Sequence, residues 1–137
     1  MNSIVREVMK FGYTIIYVQD VEKSLDFYQR AFSCKVKFVA ESKLYGELDT
    51  GKTILAFCQE SFCEKNGLSF NRNRLNSLTA GFEIGFISDD VDMSYKHAIA
   101  QGAEPLKEPA QKPWGQIVAY VKDINGILIE ICNEINY

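Results

Sequence analysis

Hydrophobic residues along the chain fall into short alternating or continuous runs separated by two stretches of helical spacing, and the same succession occurs twice. Residues 13–18 (YTIIYV) are β-branched and aromatic, the mark of a buried strand. After Asp20, apolar residues recur at Val21, Leu25, Tyr28 and Phe32, one stripe of a helix. Asp20 suits its N-cap, because a carboxylate accepts a free N–H of the first turn. A strand is expected near Val36–Val39. Runs at 43–48 and 53–57 then flank Asp49-Thr50-Gly51-Lys52, a hairpin signature with Gly supplying positive φ. The order returns with a strand over 82–87 (FEIGFI) and a helix capped by Asp90, with Val91, Tyr95 and Ala98 as its stripe and Gly102 as its stop. A short strand and a Pro-containing loop follow. Strands at 116–122 and 127–132 then flank the turn Asp123-Ile124-Asn125-Gly126.

The two helix starts share letters: Asp20-Val21-x-x-Ser24 and Asp90-Val91-x-x-Ser94 lie 70 residues apart. The repeated order of elements carries more weight than these identities. The chain therefore reads as one α+β domain over 1–137, with a first module at about 11–59, a connecting segment at 60–79 and a second module at about 80–133. The connector is rich in Asn, Ser and Arg. It is expected to be a plain surface connection, with a short helix or a pocket cover as the alternative.

Alternation divides the strand residues into two faces. Thr14, Ile16, Val18, Leu55, Phe57, Ile84, Phe86, Ile129 and Ile131 make a nearly continuous apolar face, suited to packing under helices. The other face holds Tyr13, Tyr17, Glu83 and Glu130. A carboxylate inside an oily strand is costly to bury unpaired. That face is thus either a polar recess or a solvated outer surface.

Composition narrows the classes. With 137 residues, 47% hydrophobic and 24% charged, the chain can bury a core and is not of disordered type. Its net charge of -3 and lack of basic clusters argue against nucleic acid. No apolar run approaches the roughly 20 residues of a membrane span, and no leader pattern opens the chain, so a cytoplasmic protein with four reduced thiols is expected.

Two motifs then bring a resemblance. YTIIYVQDVEKSLDFY at 13–28 and KPWGQIVAYVKDINGILIEI at 112–131 look like the opening and close of the vicinal oxygen chelate superfamily, which includes glyoxalase I, bleomycin resistance proteins and extradiol dioxygenases. The usual close reads P-W-G, D-P-D-G, I-E; here Ile124-Asn125 replaces Pro-Asp. The resemblance covers about residues 11–133. It implies tandem βαβββ modules forming a half-open eight-stranded cavity, and a homodimer. In the family's metal enzymes the first and last strands of each module bear ligands. Carried over, these positions are Tyr13, Ala56, Glu83 and Glu130, and only Glu130 matches the glyoxalase pattern. Ala56 has no donor atom, and two carboxylates alone suit zinc or nickel poorly. The lone histidine, His97, falls off its helical stripe and reads as a surface residue.

The expected function is binding of a small organic molecule, with no cofactor. Glu83 and Glu130 would be polar anchors, and Tyr17, Trp114 and Tyr120 flat walls. A lyase or isomerase using Glu130 and Tyr13 as acid–base groups is the alternative. A divalent metal held by Glu83 and Glu130, and a regulatory domain with a vestigial cavity, are further readings.

Overall fold

Two four-stranded mixed sheets share one hydrophobic core in the computed structural model, which describes residues 7–135. The first module comprises β1 (Tyr13–Val18), α1 (Val21–Phe32), β2 (Lys35–Val39), β3 (Tyr45–Asp49) and β4 (Ile54–Gln59). The connector contains α2 (Glu60–Lys65). The second module comprises β5 (Ile84–Ile87), α3 (Val91–Ala100), β6 (Glu104–Gln111), β7 (Ile117–Lys122) and β8 (Leu128–Cys132). The sheet orders are β1-β4-β3-β2 and β5-β8-β7-β6, so each module repeats the same topology. The first and last strands of each module pair in parallel, and the others antiparallel. The sheets are not closed into a barrel. No helix among the described residues is long and apolar enough to cross a membrane.

Local chemistry starts both helices as the sequence predicts. Asp20 Oδ1 accepts the Lys23 N–H at 3.0 Å, and Asp90 Oδ1 accepts the Met93 N–H at 3.1 Å. Gly102 follows α3 at φ +113°, where a side chain would be strained. Three expectations shift. The strand expected over 82–87 begins at Ile84, because the Phe82 N–H bends back to the Ala80 carbonyl at 2.8 Å. The short strand and Pro-containing loop expected after Gly102 are instead one strand, β6, which runs through both Pro105 and Pro109. β6 is an edge strand, the place in a sheet where a residue without an N–H is tolerated. α1 also buries Phe27, off the expected stripe, because a second side of the helix packs on α3 and Gly102.

The core is built from the helix-facing strand residues Ile16, Val18, Leu55, Phe57, Ala119, Val121, Ile129 and Ile131 against α1 and α3. Phe32 of α1 stacks on Phe86 of β5 at 4.7 Å between centroids. Polar ties also cross between modules. Tyr28 Oη donates to Asp123 Oδ2 at 2.6 Å, and Asn125 Nδ2 donates to Ser24 Oγ at 3.1 Å. Asp123 is fully buried. His97 is exposed, and its Nε2 lies 2.7 Å from the Arg30 carbonyl, joining α3 to the end of α1.

The connector is more than a surface link. Glu60 is 3% exposed and meets Arg74 through Oε1 at 2.7 Å and Oε2 at 2.9 Å. Asn73 Nδ2 donates to the Tyr17 carbonyl at 3.0 Å, and Phe70 packs edge-on against the Tyr17 ring at 4.7 Å. The segment thus lies over one end of β1. At the far side, Gly126 (φ +87°) passes so close to Arg74 that any Cβ would strike the Arg74 carbonyl.

Candidate functional site

Because both sheets turn one face into the common core, their other faces point away from it; the first sheet's is partly covered by the connector, which buries Ala56 and Cys58. Strand register shows what each open face carries. On the second sheet, Tyr120 of β7 lies opposite Glu130 of β8, which is in turn beside Gly85 of β5. Tyr120 Oη donates to Glu130 Oε1 at 3.1 Å. Gly85 has no side chain, so nothing from that position covers Glu130 Oε2. Glu83 stands just before β5 on the same face. Partial desolvation, and then the charge of Glu130, raise its carboxyl above the ordinary range. Tyr120 is pushed up to about 12 by desolvation, by its hydrogen bond to Glu130 and by that group's charge.

These residues border a recess of about 470 Å³ lined by Glu83, Leu106, Lys107, Lys112, Tyr120 and Leu128. Lys107 pairs in register with Tyr120 across β6 and β7. The recess is thus lined by one carboxylate, Glu83, and two lysines, and Glu130 is tied to it through the Tyr120 hydroxyl. Alternation along β6 is broken by irregular pairing on both sides of Lys107, which hides this lysine from a period-two reading.

The first sheet's open face carries Tyr13, Ile15 and Tyr17 of β1, next to Ile54, Ala56 and Cys58 of β4. It also carries a carboxylate that strand-by-strand reading of β1 and β4 misses. Glu47 of β3 lies opposite Ala56, and Tyr45 Oη donates to Glu47 Oε2 at 2.6 Å. The alternation Tyr45-x-Glu47-x-Asp49 would have found it. Desolvation and the Glu47 partner raise the Tyr45 hydroxyl well above its usual range.

The structure brings Glu83, Tyr120 and Glu130 together. Tyr13 and Tyr17 lie on the other sheet, and Tyr17 is already engaged by Phe70. Trp114 stands apart in the β6–β7 turn, 62% exposed, with Nε1 donating to Gln116 Oε1 at 2.9 Å. It borders a small hollow with Gly115, Gln116 and Asn133, and does not line the Glu83 recess. A further groove of about 430 Å³ runs between α1, β5 and α3 past Phe32, Phe86 and His97, but it holds no carboxylate.

The donors at the family's metal-bearing positions fit a transition ion poorly. Glu83 and Glu130 are hard oxygen donors, Tyr13 is a phenol and Ala56 offers nothing. Among the described residues no group of three or more His, Cys, Asp or Glu is placed to hold a metal ion.

Comparison with known proteins agrees with this architecture. The family model described as glyoxalase-like domain matches residues 11–136. An uncharacterized Bacillus subtilis (strain 168) protein, YraH, is 26% identical over 125 residues, covering 90% of this chain and 97% of that one. Among solved structures, a glyoxalase-related enzyme from Fulvimarina pelagi superposes with TM-score 0.79 at 18% identity, covering 93% of this chain and 89% of that one. A glyoxalase/bleomycin resistance protein/dioxygenase family enzyme from Burkholderia phytofirmans PsJN gives 0.71 at 24%, covering 89% and 96%. At these identities the solved structures show a common fold.

Proposed function

The chain belongs to the glyoxalase-like domain family, and we propose that it binds a small organic molecule bearing an amine or other cationic group, in the cytoplasm and without a catalytic transition metal. The observation that carries this reading is the pair Glu83 and Glu130 beside the Tyr120 hydroxyl, on the border of a recess with apolar walls at Leu106 and Leu128. Two neighbouring carboxylates repel, and a bound cation relieves that repulsion. Lys107 and Lys112 favour a ligand that also carries an acidic or strongly polar end. Glu47 and Tyr45 offer a second anchor on the first sheet.

The open faces also support a homodimer. Tyr13 is 54% and Ile87 67% exposed on them, which is apolar surface that a second copy would cover. A partner copy laying its first sheet over the second sheet would bring Tyr13 and Glu47 towards Glu83 and Glu130.

The test is a thermal-shift screen of amines, cationic antibiotics and thiol adducts, followed by calorimetric titration of any hit. Charge-assisted contacts are worth about 1.5–3 kcal/mol, so Glu130→Gln and Glu83→Gln should each weaken an amine ligand by roughly tenfold or more. Hits that bind these variants as tightly as the parent would overturn the assignment. Stoichiometric metal in protein purified without chelator, lost in Glu130→Gln, would overturn the metal-free part.

The raised carboxyl of Glu83 beside Glu130 favours one second reading, a lyase or isomerase acting on a small carbonyl compound. One carboxyl would then donate a proton and the other accept one. Under that reading Glu130→Gln abolishes turnover while a substrate analogue still binds.

A further inference from the structure

Two cysteines outside the recess lie closer than any other pair of thiols. Cys58 is on β4 and Cys63 on α2, and the Cys63 thiol donates to Cys58 Sγ at 3.2 Å. Both are buried, at 8% and 4% exposure. The other two thiols have no such neighbour. Cys34 Sγ contacts the Phe32 carbonyl and Cys132 Sγ the Phe86 carbonyl. Cys132 is instructive because it holds on β8 the place that Cys58 holds on β4: each lies two residues beyond the strand position occupied by Glu130 or Ala56. The repeat therefore supplies one thiol per sheet, and only the first module adds a partner, from the connector.

We propose that Cys58 and Cys63 form a reversible dithiol–disulfide pair that clasps α2 to the open face of the first sheet. A disulfide needs sulfurs about 2.05 Å apart, so closure takes a movement of roughly 1 Å by side chains that already face each other. The spacing in sequence is short, and no backbone element has to cross another. A peroxide serves as oxidant. The Cys58 thiol gives its proton to solvent and its sulfur attacks one peroxide oxygen. The O–O bond breaks, the leaving hydroxide takes up a proton as water, and Cys58 becomes a sulfenic acid. The Cys63 sulfur then attacks Cys58 Sγ, and the sulfenic hydroxyl leaves with the Cys63 proton as water. Two thiols and one hydrogen peroxide thus give one disulfide and two waters, the two electrons passing from sulfur to the peroxide oxygens. Burial and the bond to Cys58 push the Cys63 thiol up to about 12.

The clasp matters because α2 has only six residues, too few to be stable alone. It is held by the Gln59 side-chain cap, the Glu60–Arg74 pair and the Cys63 contact. Tyr17 sits beside both thiols on the same face. Oxidation would fix the connector over that end of the sheet, and reduction would leave it free to open.

The experiment uses the full chain, fully reduced, exposed to excess hydrogen peroxide, then alkylated and weighed intact. The expected product has lost the two thiol hydrogens and two alkylation sites, yields a peptide linked between Cys58 and Cys63, and reverts with dithiothreitol. Cys63→Ser should instead trap a sulfenic acid at Cys58 that reacts with dimedone. Four alkylated thiols after treatment, or oxidation confined to Cys34 and Cys132, would overturn the pair. Trypsin reads the clasp: cleavage after Lys65 and Arg72 should slow at least fivefold in the oxidised protein. Equal cleavage rates would overturn the clasp. Neither readout depends on a ligand at Glu83 and Glu130.

Discussion

Tyr28→Phe tests whether the two modules are one cooperative unit. The Tyr28 ring packs against Phe57 of the first module and Phe86 of the second, and phenylalanine preserves those contacts. Only the 2.6 Å bond to Asp123 Oδ2 is lost. Asp123 keeps the Asn125 and Ile127 N–H groups, both at 2.8 Å, on its other oxygen. Oδ2 is then buried with no donor. A hydrogen bond to a charged group contributes about 1.5–3 kcal/mol. Unfolding entropy of about 2.1 cal/mol/K per residue over 137 residues gives roughly 0.3 kcal/mol/K. The melting midpoint should therefore fall by about 5–10 °C at pH 7, as a single transition in calorimetry. The pH dependence has a definite sign. Burial already raises the Asp123 carboxyl, and the Tyr28 hydroxyl opposes that rise. Removing the hydroxyl moves the folded-state value further above the unfolded one. The variant's deficit is then full at neutral pH and shrinks as pH falls through that raised value. A midpoint change under 1 °C, or two separate transitions, would refute the reasoning.

Arg74→Ala leaves Glu60 buried with only the looser Arg72 contact at 3.7 Å, and should cost about 3 kcal/mol in urea unfolding. An unchanged urea midpoint would mean the connector is not anchored there. Gly126→Ala meets both a positive φ and the Arg74 carbonyl, so a loss of at least about 1–2 kcal/mol is expected; equal stability would contradict the close crossing. Glu83→Gln should raise the melting midpoint slightly at pH 7 and not at pH 3. The folded carboxyl is raised, so its contribution to stability is present at low pH and lost as pH climbs through that value. A midpoint lowered at pH 7 would show that Glu83 is favourably paired instead.

The order of elements was legible because it rests on local interactions. Asp20 and Asp90 cap their helices within three residues, and the turns at Gly51 and Gly126 depend on backbone freedom at single positions. The face assignments also followed, since alternation needs no knowledge of neighbours. Glu83 and Glu130 were accordingly placed on one face, and the fold brings them within electrostatic reach. The misses share a cause: each depends on what lies opposite. Pro105 and Pro109 look like loop residues until β6 proves to be an edge. Glu47 matters only once register sets it against Ala56, and Lys107 only once it pairs with Tyr120. The position of Trp114 in the β6–β7 turn, beside a separate hollow, likewise depends on the fold.

Spacing, caps and turn chemistry were enough to determine two βαβββ modules and their apolar faces, because each of these is a property of residues within a few positions of one another. Which side chains meet was decided by tertiary structure alone. The Tyr120–Glu130 bond, the lysines lining the recess, the anchoring of the connector through Glu60 and Arg74, and the meeting of Cys58 with Cys63 all need strand register or long-range packing. Those are set by the burial of a shared core, and no local pattern encodes the partner.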